Sequence, residues 1–205
     1  MPLPELPPHE LGQPLPITPS PQVLDFLWNR RSASAPLLIA PGPSEDEIDA
    51  LIRIGLRVPD HGKIGPWRVV RFTTDAKARL VEKLKDLAQA QAVPAKATAA
   101  LKKLDNPPQA LMVVSSPVAG ADIPLWEQQL SAAAVCQTML IAAGAMGYGA
   151  NWITDWYAYD GEAKKVLGLR DGEEVAGFIY LGSLAEPPLE RERPEPMSRV
   201  GWWEG

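Results

Sequence analysis

The amino-acid sequence predicts a single α+β domain in which helices pack on a central β-sheet. Its 205 residues are enough for one such domain with a sizeable core. Helical periodicity alternates with short apolar runs along most of the chain, which is typical of helices that cover a sheet. Hydrophobic residues make up 46% of the chain and charged residues 22%. These ordinary proportions exclude a wholly disordered or collagen-like chain.

Prolines set off two arms from this domain. The chain has 22 prolines, of which eight lie within residues 1–21 and four within 187–196. Average usage would give roughly ten in a chain of this length. We therefore predict an extended N-terminal arm at residues 1–21. The domain then spans residues 22–205 and ends in a second extended arm at about 185–205.

Periodicity and start signals define the elements of the first half of the chain. Val23, Phe26 and Leu27 recur at helical spacing and predict the first helix. Ser44 and Glu47 form a capping-box pattern that starts the second. An alternating WRVVRFT run predicts a strand, and an amphipathic helix that Pro94 interrupts follows it. The predicted elements are helices at 22–31, 45–57, 75–92 and 94–104, a strand at 67–73, and a loop at 36–43.

The second half contains a long uncharged run, at residues 128–154. Its glutamines and its acidic flanks, Glu127 and Asp155, favour a buried alanine-rich helix over a membrane span. Two other apolar runs, ALMVVS and VAGFIYLGS, predict buried strands, and Asp160 caps a short helix. The predicted elements are strands at 110–115, 150–154 and 175–183, and helices at 124–144 and 160–168.

Charge and composition exclude several classes of binding partner. The net charge is −5 and no basic block stands out, so nucleic acid is not an expected partner. Cys136, His9 and His61 are the only soft ligands, so we expect no metal site. A single cysteine excludes an internal disulfide and fits a reducing compartment. The N-terminus has no signal-peptide pattern. We therefore expect a cytoplasmic protein without a membrane partner.

Motifs of several enzyme classes are absent from the sequence. It contains no G-x-G-x-x-G after a strand, no G-x-x-x-x-G-K-[ST] and no G-x-S-x-G. No serine pairs with His61, the one histidine outside the N-terminal arm. The sequence therefore offers no side-chain nucleophile.

Three segments could carry function, and each has a plainer interpretation. Arg30-Arg31-Ser32 could hold a phosphate in bidentate contacts, or could be solvated arginines at a helix end. The DHGKIG loop at 60–65 could be a functional loop or an ordinary turn. The glycines at 144–149 could let the backbone approach a flat ligand, or Gly147 could be a helix C-cap.

Taken in order along the chain, these segments resemble the FMN-dependent nitroreductase family, and most closely a compact subgroup of it. The resemblance spans about residues 22–202 and rests on the joint order and spacing of several motifs. The matching segments are RRSAS at 30–34, SEDEIDALIRIGLRVPDHGKIGPWRVV at 44–70, WEQQLSAAAVCQTMLIAAGAMGYGANWIT at 126–154 and VAGFIYLG at 175–182.

The resemblance implies a nitroreductase-like fold, with helices around a central mixed sheet, and a homodimer with FMN at the subunit interface. The activity it implies passes electrons from NAD(P)H through FMN to a nitroaromatic, a quinone or a related small acceptor, in a ping-pong sequence. FMN would carry the chemistry, with no catalytic side chain. Arg57 and His61 would reach FMN from the neighbouring subunit. The cofactor-binding residues it implies are Arg30, Arg31, Ser32, Arg57, His61, Trp152, Ile153, Thr154 and Arg193.

Some positions depart from the family pattern. Many relatives carry P-S-x-x-N-x-Q-P-W where this chain has Lys63 and Gly65 in place of the asparagine and glutamine. Ser34 replaces a frequent basic residue, and the N-terminal arm is an addition. Two other functions stay open: a flavin-binding or flavin-sequestering protein with little turnover, and a relative that dehalogenates or oxidises flavin.

Overall fold

The computed structural model describes residues 7–205, which contain six α-helices and five β-strands. The helices are α1 (Pro21–Asn29), α2 (Glu45–Gly55), α3 (Thr74–Gln89), α4 (Pro94–Asp105), α5 (Leu125–Ala145) and α6 (Gly161–Val166). The strands are β1 (Leu38–Ile39), β2 (Trp67–Arg71), β3 (Gln109–Ser115), β4 (Gly149–Ile153) and β5 (Glu174–Leu184). The predicted α+β class is confirmed.

The sheet is antiparallel in every strand pairing of the described residues, so the prediction of a mixed sheet is wrong in this respect. β5 pairs with β1, β3 and β4, and β2 pairs with β3. The last strand of the chain inserts between β3 and β4 and runs antiparallel to both. The order of elements along the sequence does not reveal such an insertion.

Start and stop signals are confirmed at several helix ends. Ser44 accepts from the Glu47 amide, and Glu47 accepts from the Ser44 amide, which completes the capping box of α2. Asp160 caps α6, and Gly147 follows α5 with φ of +87°. The structure differs from prediction at 36–43, where the predicted loop contains β1. This strand has only two residues, too few for a periodic signal.

The arms contain little regular structure. Within the described residues, 7–20 form no helix or strand, and 185–205 form only a 3-10 turn at Pro196–Arg199. Residues 1–6 of the predicted N-terminal arm lie outside the described residues. The boundary at residue 21 remains a prediction.

The sheet is covered on both faces. Alternate residues of β3 point to opposite sides, which explains its unbroken apolar run. Met112 packs with α3, α4 and α6 in one cluster. Val113 packs with α2 and α5 in the other. Leu84, Leu104 and Met139 are fully buried in these two layers.

The long uncharged run forms most of α5 and then β4, as predicted. Its inner side is buried against the sheet, and Cys136 lies there with no exposed surface. Burial raises the pKa of the Cys136 thiol to about 12, so it is protonated at neutral pH and is a poor nucleophile. Among the described residues, no helix is both long enough and apolar enough to cross a membrane.

One buried carboxylate ties β2 to the loop before β5. Glu173 accepts from Arg68 Nε at 2.8 Å and from Arg68 Nη2 at 2.7 Å, a bidentate pair. It also accepts from the Ser116 hydroxyl and the Arg170 amide. The Arg68 side chain, opposed by desolvation, lowers the pKa of Glu173 from 4.5 to about 2.

We expect Glu173→Gln to lower the free energy of unfolding by about 2–3 kcal/mol at pH 7. A carboxylate whose pKa is lowered by folding stabilises the fold above its unfolded pKa, and this contribution is lost as the pH falls towards 2. Denaturant titrations from pH 7 to pH 2 should therefore show the two proteins converging in acid. Glu174→Gln is the matched control, because the Glu174–Lys164 pair is more exposed and should cost under about 1 kcal/mol. A pH-independent loss in Glu173→Gln would contradict this account.

Candidate functional site

The first part of the candidate site lies just after α1. The helix ends at Asn29, two residues earlier than predicted, so Arg30 and Arg31 belong to the segment that follows it. The Arg30 amide donates to the Phe26 carbonyl, and its guanidinium donates to the Ser32 hydroxyl at 3.2 Å. The side chains of Arg30, Arg31 and Ser32 are half-buried. This part of the chain therefore holds two cationic groups and a hydroxyl together.

The C-terminal arm brings a third arginine to the same place. Arg31 Nε donates to the Leu189 carbonyl at 3.0 Å and lies 3.6 Å from Glu190 Oε1. Arg193 donates to that same oxygen from Nε and Nη2, each at 3.3 Å. Arg30, Arg31, Ser32 and Arg193, which we call the arginine cluster, thus come together from two ends of the chain.

The arginine cluster has an excess of positive charge. Burial lowers the pKa of Arg30, and the nearby charges of Arg193 and Arg31 lower it further. No carboxylate within the described residues forms an ion pair with Arg30. A half-buried guanidinium beside two others is stabilised by an anion with several acceptor oxygens.

Strand β4 lies beside this cluster. The Ala33 amide donates to the Ala150 carbonyl at 2.9 Å, and the Asn151 side chain donates to the Ala33 carbonyl. Side chains alternate along β4, so Trp152 lies on the face opposite Ile153, and Thr154 directly follows the strand. Ile153 packs into the core, and it could therefore offer a ligand only its backbone. Thr154 accepts from the Tyr159 hydroxyl at 2.7 Å.

The indole of Trp152 packs against the neighbouring strand, β5. Its Nε1 donates to the Ala176 carbonyl at 3.0 Å, although 37% of the residue remains exposed. A Cβ atom at Gly177 would overlap the indole. Glycine at this strand position therefore allows the ring to approach the backbone.

We expect Gly177→Ala to displace the Trp152 indole and to weaken FMN binding several-fold, about as much as the loss of one hydrogen bond. Near-ultraviolet circular dichroism would report the movement of the ring, and a fluorescence titration would report the affinity. Gly161→Ala is the matched control, since a Cβ there meets no neighbour. An unchanged tryptophan signal in Gly177→Ala would contradict the packing argument.

His61 lies apart from the arginine cluster, and Arg57 precedes it in the chain. Both are exposed and lie after α2, and His61 Nδ1 is 2.6 Å from Glu127 Oε2 near the start of α5. The arginine cluster lies near the other end of α5, where Phe26 of α1 packs against Gly144. Glu127 and Gly144 are 17 residues apart along one helix, about 25 Å at the usual rise. One chain therefore does not bring the nine predicted residues together.

The loop at residues 60–65, between α2 and β2, is held in an unusual backbone conformation. Lys63 has φ of +57°, the only positive φ at a residue other than glycine in the described part of the chain. The Asp60 carboxylate supports the turn by accepting from the amides of Ile64 and Gly65. Lys63 stands where many relatives carry asparagine, a residue that tolerates this conformation well. Lysine pays a strain of roughly 1–2 kcal/mol there.

Sequence reasoning missed three residues that organise these groups. Glu190 carried no signal, because its partner Arg31 lies far away in the sequence. Glu127 belongs to the W-E-Q motif, but nothing in the sequence shows that it faces His61. Gly177 did carry a signal, since a glycine inside a strand marks a close backbone approach.

Comparisons with known proteins identify the family. The nitroreductase family model matches residues 28–183. YdjA of Escherichia coli (strain K12), whose provisional name is NAD(P)H nitroreductase, is 30% identical over 164 residues, which cover 78% of this chain and 87% of YdjA. Two solved structures share the fold. A nitroreductase-like family protein from Bacillus cereus has a TM-score of 0.79 at 18% identity and covers 93% of this chain and 100% of its own. A nitroreductase with bound FMN from Bacteroides fragilis has a TM-score of 0.68 at 19% identity, and the match covers 90% of this chain and 100% of that one.

The family model and the identity to YdjA confirm the resemblance seen in the sequence: the chain belongs to the nitroreductase family, and it is an enzyme of the oxidoreductase class.

Proposed function

We propose that this enzyme binds FMN and passes electrons from NAD(P)H to a small electron-poor acceptor such as a nitroaromatic or a quinone. The observation that carries the proposal is the arginine cluster, where a half-buried Arg30 lacks an acidic partner among the described residues. A family relationship supports the cofactor, and a structure of the same fold has FMN bound.

The residues of the cluster fit the phosphate end of FMN. A phosphate monoester carries close to two negative charges at neutral pH, together with three strong acceptor oxygens. Arg30, Arg31 and Arg193 supply charge and paired N–H donors, and Ser32 supplies a hydroxyl. When bound, FMN supplies the hydride and electron chemistry, which agrees with the lack of a side-chain nucleophile.

The flavin ring would lie along β4. Trp152 lies on one face of this strand, Thr154 follows its end, and the Ala33–Ala150 contact links the strand to the arginine cluster. The indole donates a hydrogen bond to the Ala176 carbonyl and occupies the space that the absence of a Cβ at Gly177 leaves. In this proposal these groups orient the ring and exclude water from one of its faces, while the open side admits NAD(P)H and the acceptor in turn.

A homodimer follows from the separation of the two residue groups. His61 contacts Glu127, which lies about 25 Å along α5 from the end that adjoins the arginine cluster. In the proposal, a second copy of the chain brings its own Arg57 and His61 to this FMN. The apolar surface supports a large interface, because Leu24 and Trp28 of α1 and Trp126 and Leu130 of α5 are exposed by 48–86%.

The proposal also gives a cellular location. An enzyme that draws on NAD(P)H and carries one reduced cysteine fits the cytoplasm. That location and the identity of the acceptor belong to the proposal.

Anaerobic half-reactions test the function. FMN-loaded protein should lose its flavin absorbance when NADPH or NADH is added, and should recover it when a nitroaromatic or a quinone follows. A protein that binds FMN but is not reduced would be a flavin-sequestering protein, the main alternative. Reduction without reoxidation by either acceptor would favour another reaction, such as dehalogenation.

A further inference from the structure

We propose that Glu190 is a positioning residue for the phosphate site, and that phosphate binding is coupled through it to docking of the C-terminal arm, residues 185–205. The proposal rests on the proposed function and concerns a residue that the family resemblance leaves unassigned. It starts from one carboxylate oxygen of Glu190, which lies beside both Arg31 and Arg193.

The contacts of Glu190 hold the arm and the cluster together. Its Oε1 atom lies 3.6 Å from Arg31 Nε, and it accepts from Arg193 Nε and Nη2 at 3.3 Å. The same oxygen accepts from the Arg191 amide at 2.7 Å, which fixes the carboxylate relative to its own backbone. Arg193 and the Arg191 amide thus donate to one oxygen atom, and Arg31 lies within ion-pair distance of it.

The consequence is a pre-arranged binding site. Three arginines repel one another: burial is the main cause of the lowered pKa of Arg30, and the charges of Arg193 and Arg31 lower it further. Arg193 lies on an exposed arm with little regular structure, so it needs a local partner to stay beside Arg30. Glu190 provides that partner and leaves the half-buried Arg30 free for the phosphate.

Coupling follows from thermodynamic linkage. If the docked arm binds phosphate better than the free arm does, then phosphate must favour the docked arm by the same factor. FMN should therefore order residues 185–205 more than riboflavin does, because riboflavin has the same ring and no phosphate. Riboflavin lacks the phosphate that binds the arginine cluster, so it should not favour the docked arm.

Three variants separate the role of Glu190 from general charge effects. Glu190→Ala should weaken FMN binding roughly three- to tenfold, the effect of losing a hydrogen-bond acceptor, and should leave riboflavin binding unchanged. Glu190→Gln keeps an acceptor oxygen and should bind FMN at least as tightly as the native chain. Glu192→Ala is the matched control, because Glu192 lies on the same arm and has no ion pair or side-chain hydrogen bond within the described residues.

Fluorescence titration gives the affinities, and hydrogen exchange read by mass spectrometry gives the order of the arm. We expect FMN to slow exchange in residues 185–205 of the native chain and riboflavin to have little effect. Equal protection by both ligands, native FMN affinity in Glu190→Ala, or the same loss in Glu190→Gln as in Glu190→Ala would each overturn the proposal.

A failure of the proposed function would look different. If the native chain binds no flavin, hydrogen exchange of the ligand-free proteins still tests the role of Glu190. The arm should exchange faster in Glu190→Ala than in the native chain or in Glu192→Ala. Equal rates in all three would overturn the positioning role regardless of the cofactor.

Discussion

Replacing Arg30 with alanine should weaken FMN binding by roughly 10- to 150-fold, since a hydrogen bond to a charged group contributes about 1.5–3 kcal/mol. The guanidinium lies beside two other arginines and is partly shielded from water, so a phosphate would gain a strong contact there. Riboflavin lacks the phosphate and should lose much less affinity. Quenching of flavin fluorescence measures both ligands.

Arg53→Ala provides a matched control for this experiment. Arg53 is an exposed arginine on α2, and it forms no ion pair within the described residues. Its removal changes the net charge as Arg30→Ala does, without touching the cluster. Equal losses for FMN and riboflavin, or an unchanged FMN affinity in Arg30→Ala, would leave Arg30 as a solvated arginine at a helix end.

A charge placed on the outer side of α5 should dissociate the proposed dimer and remove FMN with it. Leu130 is 48% exposed in the single chain, so Leu130→Arg would leave the core of the chain intact. Burying an unpaired charge in an interface costs about 3–5 kcal/mol, which weakens association at least 100-fold. We expect a folded monomer at micromolar concentration, measured by sedimentation equilibrium, and loss of bound flavin.

Val93→Arg is the corresponding control on the opposite side of the sheet. Val93 precedes α4 and is 57% exposed, and α4 packs in the other core layer. Val93→Arg should keep the oligomeric state expected of the native chain and should retain bound flavin. A native chain that is itself a stable monomer, or a Leu130→Arg protein that dimerises as the native one does, would contradict the two-chain site.

Local patterns predicted most of the fold. The capping box at Ser44, the apolar run of β3 and the uncharged run of α5 each depend on nearby residues, and all three were predicted correctly. The direction and pairing of strands depend on contacts between distant segments. The insertion of β5 between β3 and β4, and the two-residue β1, were therefore not predictable from periodicity.

The candidate site likewise combines residues that the sequence predicts with contacts that it does not reveal. Arg30, Arg31 and Ser32 are adjacent in the sequence and could be proposed together, and the family motif added Arg193. The ion pair of Glu190 with Arg31 joins residues far apart along the chain, so no local pattern reveals it. The separation of His61 from the arginine cluster, about 25 Å along α5 from Glu127 to Gly144, also needs the geometry of that helix.

The absorption spectrum of the purified chain, recorded after incubation with FMN and removal of free ligand, shows whether the chain holds the cofactor. We expect a yellow protein with flavin bands that releases FMN, in a ratio near one per chain, on denaturation. A protein that stays colourless after this treatment would contradict the assignment of the arginine cluster to the FMN phosphate.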